Sequence, residues 1–121
     1  MSAEENKAII TNLIEELNRG NTAPYNRAIE PDCEIMYWTG ESMDKEGFIE
    51  FINTVTETHP DFKIAIEDII ASNDKVVVRY TESAVVKGSF IGMEPNKKRY
   101  SLPAIEIYRL SNGKINGLWM A

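Results

Sequence analysis

The sequence predicts an α+β fold, with helices first and an antiparallel sheet after them. Three observations carry this. Apolar residues recur at helical spacing as far as Val55. Beyond His59-Pro60 the period changes to two, the repeat of a strand. "SNGK", Ser111 to Lys114, then supplies the Asn-Gly pair of a tight hairpin between two such runs. A run of helices followed by a run of strands is the α+β order. A long curved sheet with helices on one face leaves a concave hollow, a natural place for a small ligand.

The elements follow in order. Ser2 and Glu5 form a capping box ahead of a helix whose buried stripe is Ile10, Leu13, Ile14 and Leu17, with Glu15, Glu16 and Arg19 facing away. Gly20 ends it. Thr22 and Pro24 start a short second helix, which Glu30-Pro31-Asp32 is expected to stop. Cys33 to Trp38 reads as a strand. After a turn, Ser42 is the expected N-cap of a third helix, with Asp44 and Glu46 in its first turn, where the helix dipole favours negative charge. Phe48, Phe51, Ile52 and Val55 are its buried stripe, and His59 before Pro60 closes it. Phe62 to Ala71 alternates, Ser72-Asn73-Asp74 turns, and Lys75 to Lys87 is a long strand. Gly88 to Lys98 is a loop or crossover with Gly88, Gly92 and Pro95. Tyr100 to Leu110 and Lys114 to Met120 are the last two strands.

The totals bound the function. A chain of 121 residues suits one domain, 1–121, and can bury roughly two-thirds of its unfolded surface. With a net charge of −6 and a single basic cluster, Asn96 to Arg99, neither nucleic acid nor an anionic membrane is an expected partner. No run approaches the length of a membrane span. The one cysteine, Cys33, fits a reducing compartment and reads as a small buried hydrophobe rather than a nucleophile. No basic, apolar leader begins the sequence, so a cytoplasmic location is expected. One histidine, His59, leaves few ligands for a metal, and no metal or cofactor is expected.

"PAIEIYRL", Pro103 to Leu110, raises the sharpest question. One face of such a strand carries Pro103, Ile105, Ile107 and Arg109, and the other Ala104, Glu106, Tyr108 and Leu110. Neither face is purely polar, so Glu106 either points into something apolar or lies on a half-covered surface.

The segment from His59 to Trp119 resembles the SnoaL-like polyketide cyclase group of the NTF2-like superfamily. His59-Pro60-Asp61-Phe62, Asn73-Asp74-Lys75-Val76, Gly88-x-Phe90-x-Gly92 with Pro95, Glu106-Ile107-Tyr108-Arg109, Asn112-Gly113-Lys114-Ile115 and Trp119 carry the likeness, which extends over about residues 3 to 120. The resemblance implies a cone-shaped barrel, with N-terminal helices packed on a curved antiparallel sheet around a cavity, and a homodimer packed through the outer sheet face. The implied activity is cofactor-free acid–base cyclisation or isomerisation of a small, apolar, carbonyl-bearing metabolite. Because this fold also hosts binding proteins, a non-catalytic ligand-binding or dimeric interaction module is the alternative.

By similarity to the ketosteroid isomerases of this fold, the position of Glu106 faces the cavity, where an acid kept neutral by apolar surroundings donates a hydrogen bond to an oxyanion. The other reading pairs Glu106 with a neighbouring Tyr or exposes it at a cavity mouth. Matching the strands puts Tyr80, Glu82 and Ala84 on the inner face, which makes Glu82 a second cavity carboxylate and the expected base; otherwise Glu82 lies outward, paired with a lysine. Tyr37, Trp38, Tyr80 and Tyr108 are expected to shape the substrate site, with Leu118 and Met120. Leu13 stands near the oxyanion tyrosine of the isomerases, so that role is absent. Leu118 and Met120 stand where the cyclases often carry His and Asp around the Trp of the last strand. His59, at a helix end, reads as a solvent-near cap rather than a base. Met36, Met43, Met93 and Met120 read as cavity or core filling. Arg79 and Arg109 fall on outer faces, against the Asp-Arg-Asp set of epoxide hydrolases.

Overall fold

The computed structural model describes residues 2–59, 61–85 and 99–121. The expected crossover at Gly88 to Lys98, with Phe90, Met93, Pro95 and most of the basic cluster, lies outside them, as does Pro60. Three helices precede most of the strands: α1 (Ala3–Asn18), α2 (Ala23–Ala28), β1 (Ile29–Met36), β2 (Ser42–Met43), α3 (Lys45–Thr58), β3 (Lys63–Ser72), β4 (Lys75–Val85), β5 (Arg99–Ser111) and β6 (Lys114–Met120). The strands form one curved sheet in the order β2-β1-β6-β5-β4-β3, antiparallel except for the β1–β6 pair. This is the α+β fold that the change of period predicts.

Local chemistry explains the boundaries. Ser2 Oγ accepts from the Glu5 N–H at 3.1 Å while Glu5 Oε1 accepts from the Ser2 N–H at 3.0 Å, a closed capping box worth about 1 kcal/mol. Behind it Ile10, Leu13, Ile14 and Leu17 are buried, as the helical stripe requires, and α1 packs on β3 and β4. Its last residue, Asn18, clamps the edge strand: its amide N–H donates to the Ile64 carbonyl at 2.9 Å, and its Oδ1 accepts from the Ile64 N–H at 2.7 Å. That pair of bonds stands in for a missing neighbour strand on part of an otherwise open edge. The turns at Asn73 (φ 54°), Asn112 (φ 51°) and Gly113 (φ 78°) use the residues that tolerate positive φ.

Four expectations need correction. Glu30-Pro31-Asp32 does not merely stop α2; it lies inside β1, where the pairing with β6 shifts register between Ile29 and Glu34 and so accommodates a residue without an N–H. β1 ends at Met36, leaving Tyr37 and Trp38 in the turn that follows. Ser42 belongs to the short β2, and Asp44 caps α3 instead, its Oδ1 accepting from the Gly47 N–H at 2.7 Å. The alternation in β3 breaks at a bulge between Ile66 and Asp68, so Ile70 points outward and is 62% exposed.

The core lies between the helices and the concave sheet face. Pairing fixes that face: Val78 opposes Glu106, Tyr80 opposes Ala104, Glu82 opposes Leu102 and Ala84 opposes Tyr100. Residues directly opposite in an antiparallel pair point the same way, so Glu82 and Glu106 share the inner face. Arg79 is outside, paired with Asp68 at 2.6 Å. Arg109 is outside too, its guanidinium 5.2 Å from the Trp119 ring centroid. Gly117 is bare because the Trp119 ring folds back across it, 2.7 Å from where a Cβ would stand. Cys33 is buried in the core, which raises its thiol pKa to about 11 and keeps it a protonated hydrophobe. Met43 and Met120 pack against the core and Met36 is half-buried.

Candidate functional site

A cavity of about 450 Å3 opens between the helices and the inner sheet face. Leu17, Phe48, Phe51, Ile52 and Val55 wall it on the helix side, and its lining is mostly apolar. Among the described residues that line it there is no Lys, Arg or His. Among the described lining residues two side-chain carboxyls face it, Glu106 and Glu82.

Glu106 is 8% exposed. The Tyr108 hydroxyl, two residues along the same strand face, donates to its Oε1 at 2.7 Å. The Tyr80 side chain, from the neighbouring strand, lines the same wall and helps to hold the carboxylate. Tyr25 of α2 lines it too and meets Phe48 in a tilted contact, centroids 6.1 Å apart. Three phenols and one carboxyl thus cluster in the buried wall. Burial disfavours the carboxylate and is the largest influence; the Tyr108 bond opposes it, the Glu82 charge adds to it, and the Tyr80 bond opposes it. The result is a Glu106 carboxyl pushed up from 4.5 to about 7. Burial also drives the Tyr25, Tyr80 and Tyr108 hydroxyls upward, so they remain protonated donors at neutral pH.

Glu82 lies further along β4 and is half-buried. The Tyr100 hydroxyl donates to its Oε2 at 2.9 Å. Burial raises its pKa and that bond partly restrains the rise. Two carboxyls with different burial and different numbers of phenolic donors are the arrangement that separates an acid from a base.

Of the residues expected to bind substrate, Tyr37, Trp38, Tyr80, Tyr108 and Met120 line the cavity. Tyr37 and Trp38 form its rim: their rings lie 5.5 Å apart, and Tyr37 meets Phe51 edge-on at 5.3 Å. Leu118 does not reach the cavity. It opposes Tyr108 but is wholly buried in the core. Of the two residues standing where His and Asp were expected, only Met120 therefore alters the cavity wall. His59 is also corrected. It is the C-cap residue of α3, yet it is 1% exposed rather than solvent-near. Its ring packs edge-on to Phe62 and Tyr100, its Nδ1 lies 2.6 Å from Thr58 Oγ1, and burial lowers its pKa.

The sequence reading missed Tyr100 and Tyr25. Tyr100 was open to detection, because it alternates in phase with Ala104, Glu106 and Tyr108. Tyr25, one helical residue after Pro24, carries no such signal.

The sequence profile of the SnoaL-like polyketide cyclases matches residues 7–121. No protein with a curated description matches the sequence. Among solved structures the chain is similar to AclR of Streptomyces galilaeus, a candidate hydroxylase, with a TM-score of 0.90 at 23% identity over 99% of this chain and 79% of that one. It is similar to IdmH of Streptomyces antibioticus, a candidate polyketide cyclase, with a TM-score of 0.83 at 22% identity over 96% and 90%. It is similar also to an NTF2-like protein of unknown function from Burkholderia pseudomallei, with a TM-score of 0.80 at 19% identity over 100% and 91%. At these identities the structures establish the NTF2-like fold, and the profile establishes the family. The chain belongs to the SnoaL-like polyketide cyclase family.

Proposed function

We propose that this chain is a cofactor-free acid–base enzyme that cyclises, or isomerises through an enol, a small, uncharged, carbonyl-bearing metabolite. One observation carries the reading: a carboxyl buried among phenols at the wall of an apolar cavity, titrating near neutral pH. A group poised there exchanges protons in either direction at little cost. The described lining residues are mostly apolar and include no cation, which disfavours an anionic ligand.

In the proposed reaction the Glu82 carboxylate takes a proton from carbon beside a carbonyl. The C–H electron pair passes into the enolate. Protonated Glu106, further along the cavity wall, hydrogen-bonds a second carbonyl of the same molecule, with Tyr108 and Tyr80 steadying the carboxyl. In a cyclisation the enolate carbon attacks that second carbonyl, the first C=O re-forms, and the new alkoxide oxygen takes the Glu106 proton. Glu82 then releases its proton to solvent and Glu106 is reprotonated. Tyr37, Trp38 and Met120 shape the entrance.

The competing reading is a binding module without catalysis, favoured by Met120 standing in the wall where an acid or base was expected. The decisive experiment recovers the metabolite that copurifies with the protein and follows its conversion. Glu106→Gln and Glu82→Gln should each slow turnover by about 10² to 10⁴-fold, the usual contribution of a positioned proton-transfer group. Full turnover in both variants would defeat the acid–base reading, and tight binding with no turnover by the wild type would establish the binding module. We also propose a homodimer through the outer sheet face, where Ile70 and Ile105 are 62% and 42% exposed.

A further inference from the structure

Tyr100 has no part in the reaction proposed above, yet it is held in place with care. Its hydroxyl donates to Glu82 at 2.9 Å. Its ring meets the buried His59 edge-on, centroids 6.1 Å apart, and His59 is itself tied to Thr58 at 2.6 Å. The pair Glu82–Tyr100 repeats, further along the sheet, the chemistry of Glu106–Tyr108: one carboxyl, one phenol donating to it, both on the cavity wall. The strand register separates the two pairs. Glu106 opposes Val78, and Glu82 lies four residues on, in the row of Leu102. That spacing is about 13 Å along the strands, less whatever the side chains lean together. Between them lies the Tyr80–Ala104 row. Tyr80 turns its hydroxyl to Glu106, and Ala104 is small, so the wall between the pairs is low.

We infer that Glu82–Tyr100 is a second ligand subsite, and that the cavity takes an elongated, uncharged, mostly apolar molecule with an oxygen function at each end. Each phenol donates its one hydrogen to the carboxyl beside it, so each pair leaves oxygen acceptors that suit a hydroxyl, and a protonated carboxyl adds a donor for a carbonyl. The inference rests on the cavity being a ligand site, as proposed above, but not on turnover.

The test is equilibrium binding by calorimetry at pH 7 with two probes, 4,4′-biphenol and 4-phenylphenol, which share a rigid body and differ in one terminal oxygen. The wild type should bind biphenol about tenfold tighter, the worth of one hydrogen bond to a charge-bearing partner. Tyr100→Phe and Glu82→Leu should each cut that advantage to about twofold or less and leave 4-phenylphenol, seated at the more buried Glu106 end, nearly unchanged. Equal affinities in the wild type, an advantage that survives both variants, or no biphenol binding at millimolar concentration would overturn the inference. A turnover defect in Glu106→Gln without a two-oxygen preference would remove the subsite and leave the acid–base reading intact. The preference without turnover in the wild type would do the reverse.

Discussion

Glu106→Gln should change how stability depends on pH, and by an amount the structure allows to be worked out. The Glu106 carboxyl rises from an ordinary 4.5 to about 7 on folding, chiefly through burial. The folded chain therefore holds this proton more tightly than the unfolded chain. Between those two pH values the native state binds more protons, so stability falls as pH rises. The contribution is fully present below about pH 4.5, is lost as pH climbs through about 7, and then levels off. A rise of this size corresponds to about 3 kcal/mol. Glutamine keeps the shape and does not titrate. Urea denaturation of both proteins, followed by circular dichroism at one protein concentration from pH 4.5 to 8.5, gives a difference in which the titrations common to both cancel. Glu106→Gln should gain on the wild type by about 3 kcal/mol across that range. Two curves separated by a constant offset would mean that Glu106 titrates normally, and the account of a buried, poised acid would fail.

Three shorter predictions follow from other contacts. Tyr108→Phe removes the donor at 2.7 Å from Glu106 Oε1; the Glu106 titration followed by carboxyl NMR should move above about 7, and a fall or no change would exclude the bond as an anchor of the carboxylate. Asn6 is 4% exposed and its Oδ1 is buried with no hydrogen-bond partner among the described residues, so Asn6→Leu should stabilise the fold by about 1 kcal/mol in the same denaturation assay; destabilisation would refute this reading of Asn6. Ile70→Glu with Ile105→Glu puts charge on the outer sheet face, and sedimentation should show the proposed dimer dissociating while circular dichroism stays native.

The parts of the fold that were legible are those where period and burial coincide. β6 runs Lys114–Met120 as the pattern after Asn112-Gly113 demands, and the stripe of α1 is buried residue for residue. Legibility failed where the backbone departs from its repeat. Pro31 reads as a stop signal, but a register shift beside β6 lets it remain in β1. The bulge after Ile66 turns Ile70 out of the face that strict alternation would give it. At the site, the inner face of β5 was readable from Glu106 and Tyr108, because the whole strand keeps one phase. The position of Leu118 was not. Sharing a face with Met120 does not say how deep a side chain lies, and depth depends on what the helices stack above it. His59 fails for the same reason: its place at a helix end predicted water, and its packing against Phe62 and Tyr100 removed it.

The location of Glu106 is itself an argument for use. β5 is flanked by β4 and β6, so its backbone is bonded on both sides. The ladder is still intact beside Glu106, where the Ile105 N–H donates to the Ala121 carbonyl at 3.1 Å and the Ile105 carbonyl accepts from the Ala121 N–H at 2.8 Å. A slip of one residue would turn Ile105 and Ile107 inward and Glu106 out to water, relieving the carboxyl. It would also expel Tyr108 and Leu110 from the core, which are 1% and 3% exposed, at a cost of about 1.5–3 kcal/mol each. The register is thus fixed by its apolar neighbours, and the acid is carried inward by them. An apolar residue at that point would remove the cost of about 3 kcal/mol borne at neutral pH. Tyr108 and Tyr80 instead draw the carboxyl back down, so that it stays near the middle of its titration at neutral pH. Where a fold keeps a local cost that a simple substitution would relieve, and surrounds it with groups that tune rather than abolish the charge, chemistry at that atom is the economical explanation.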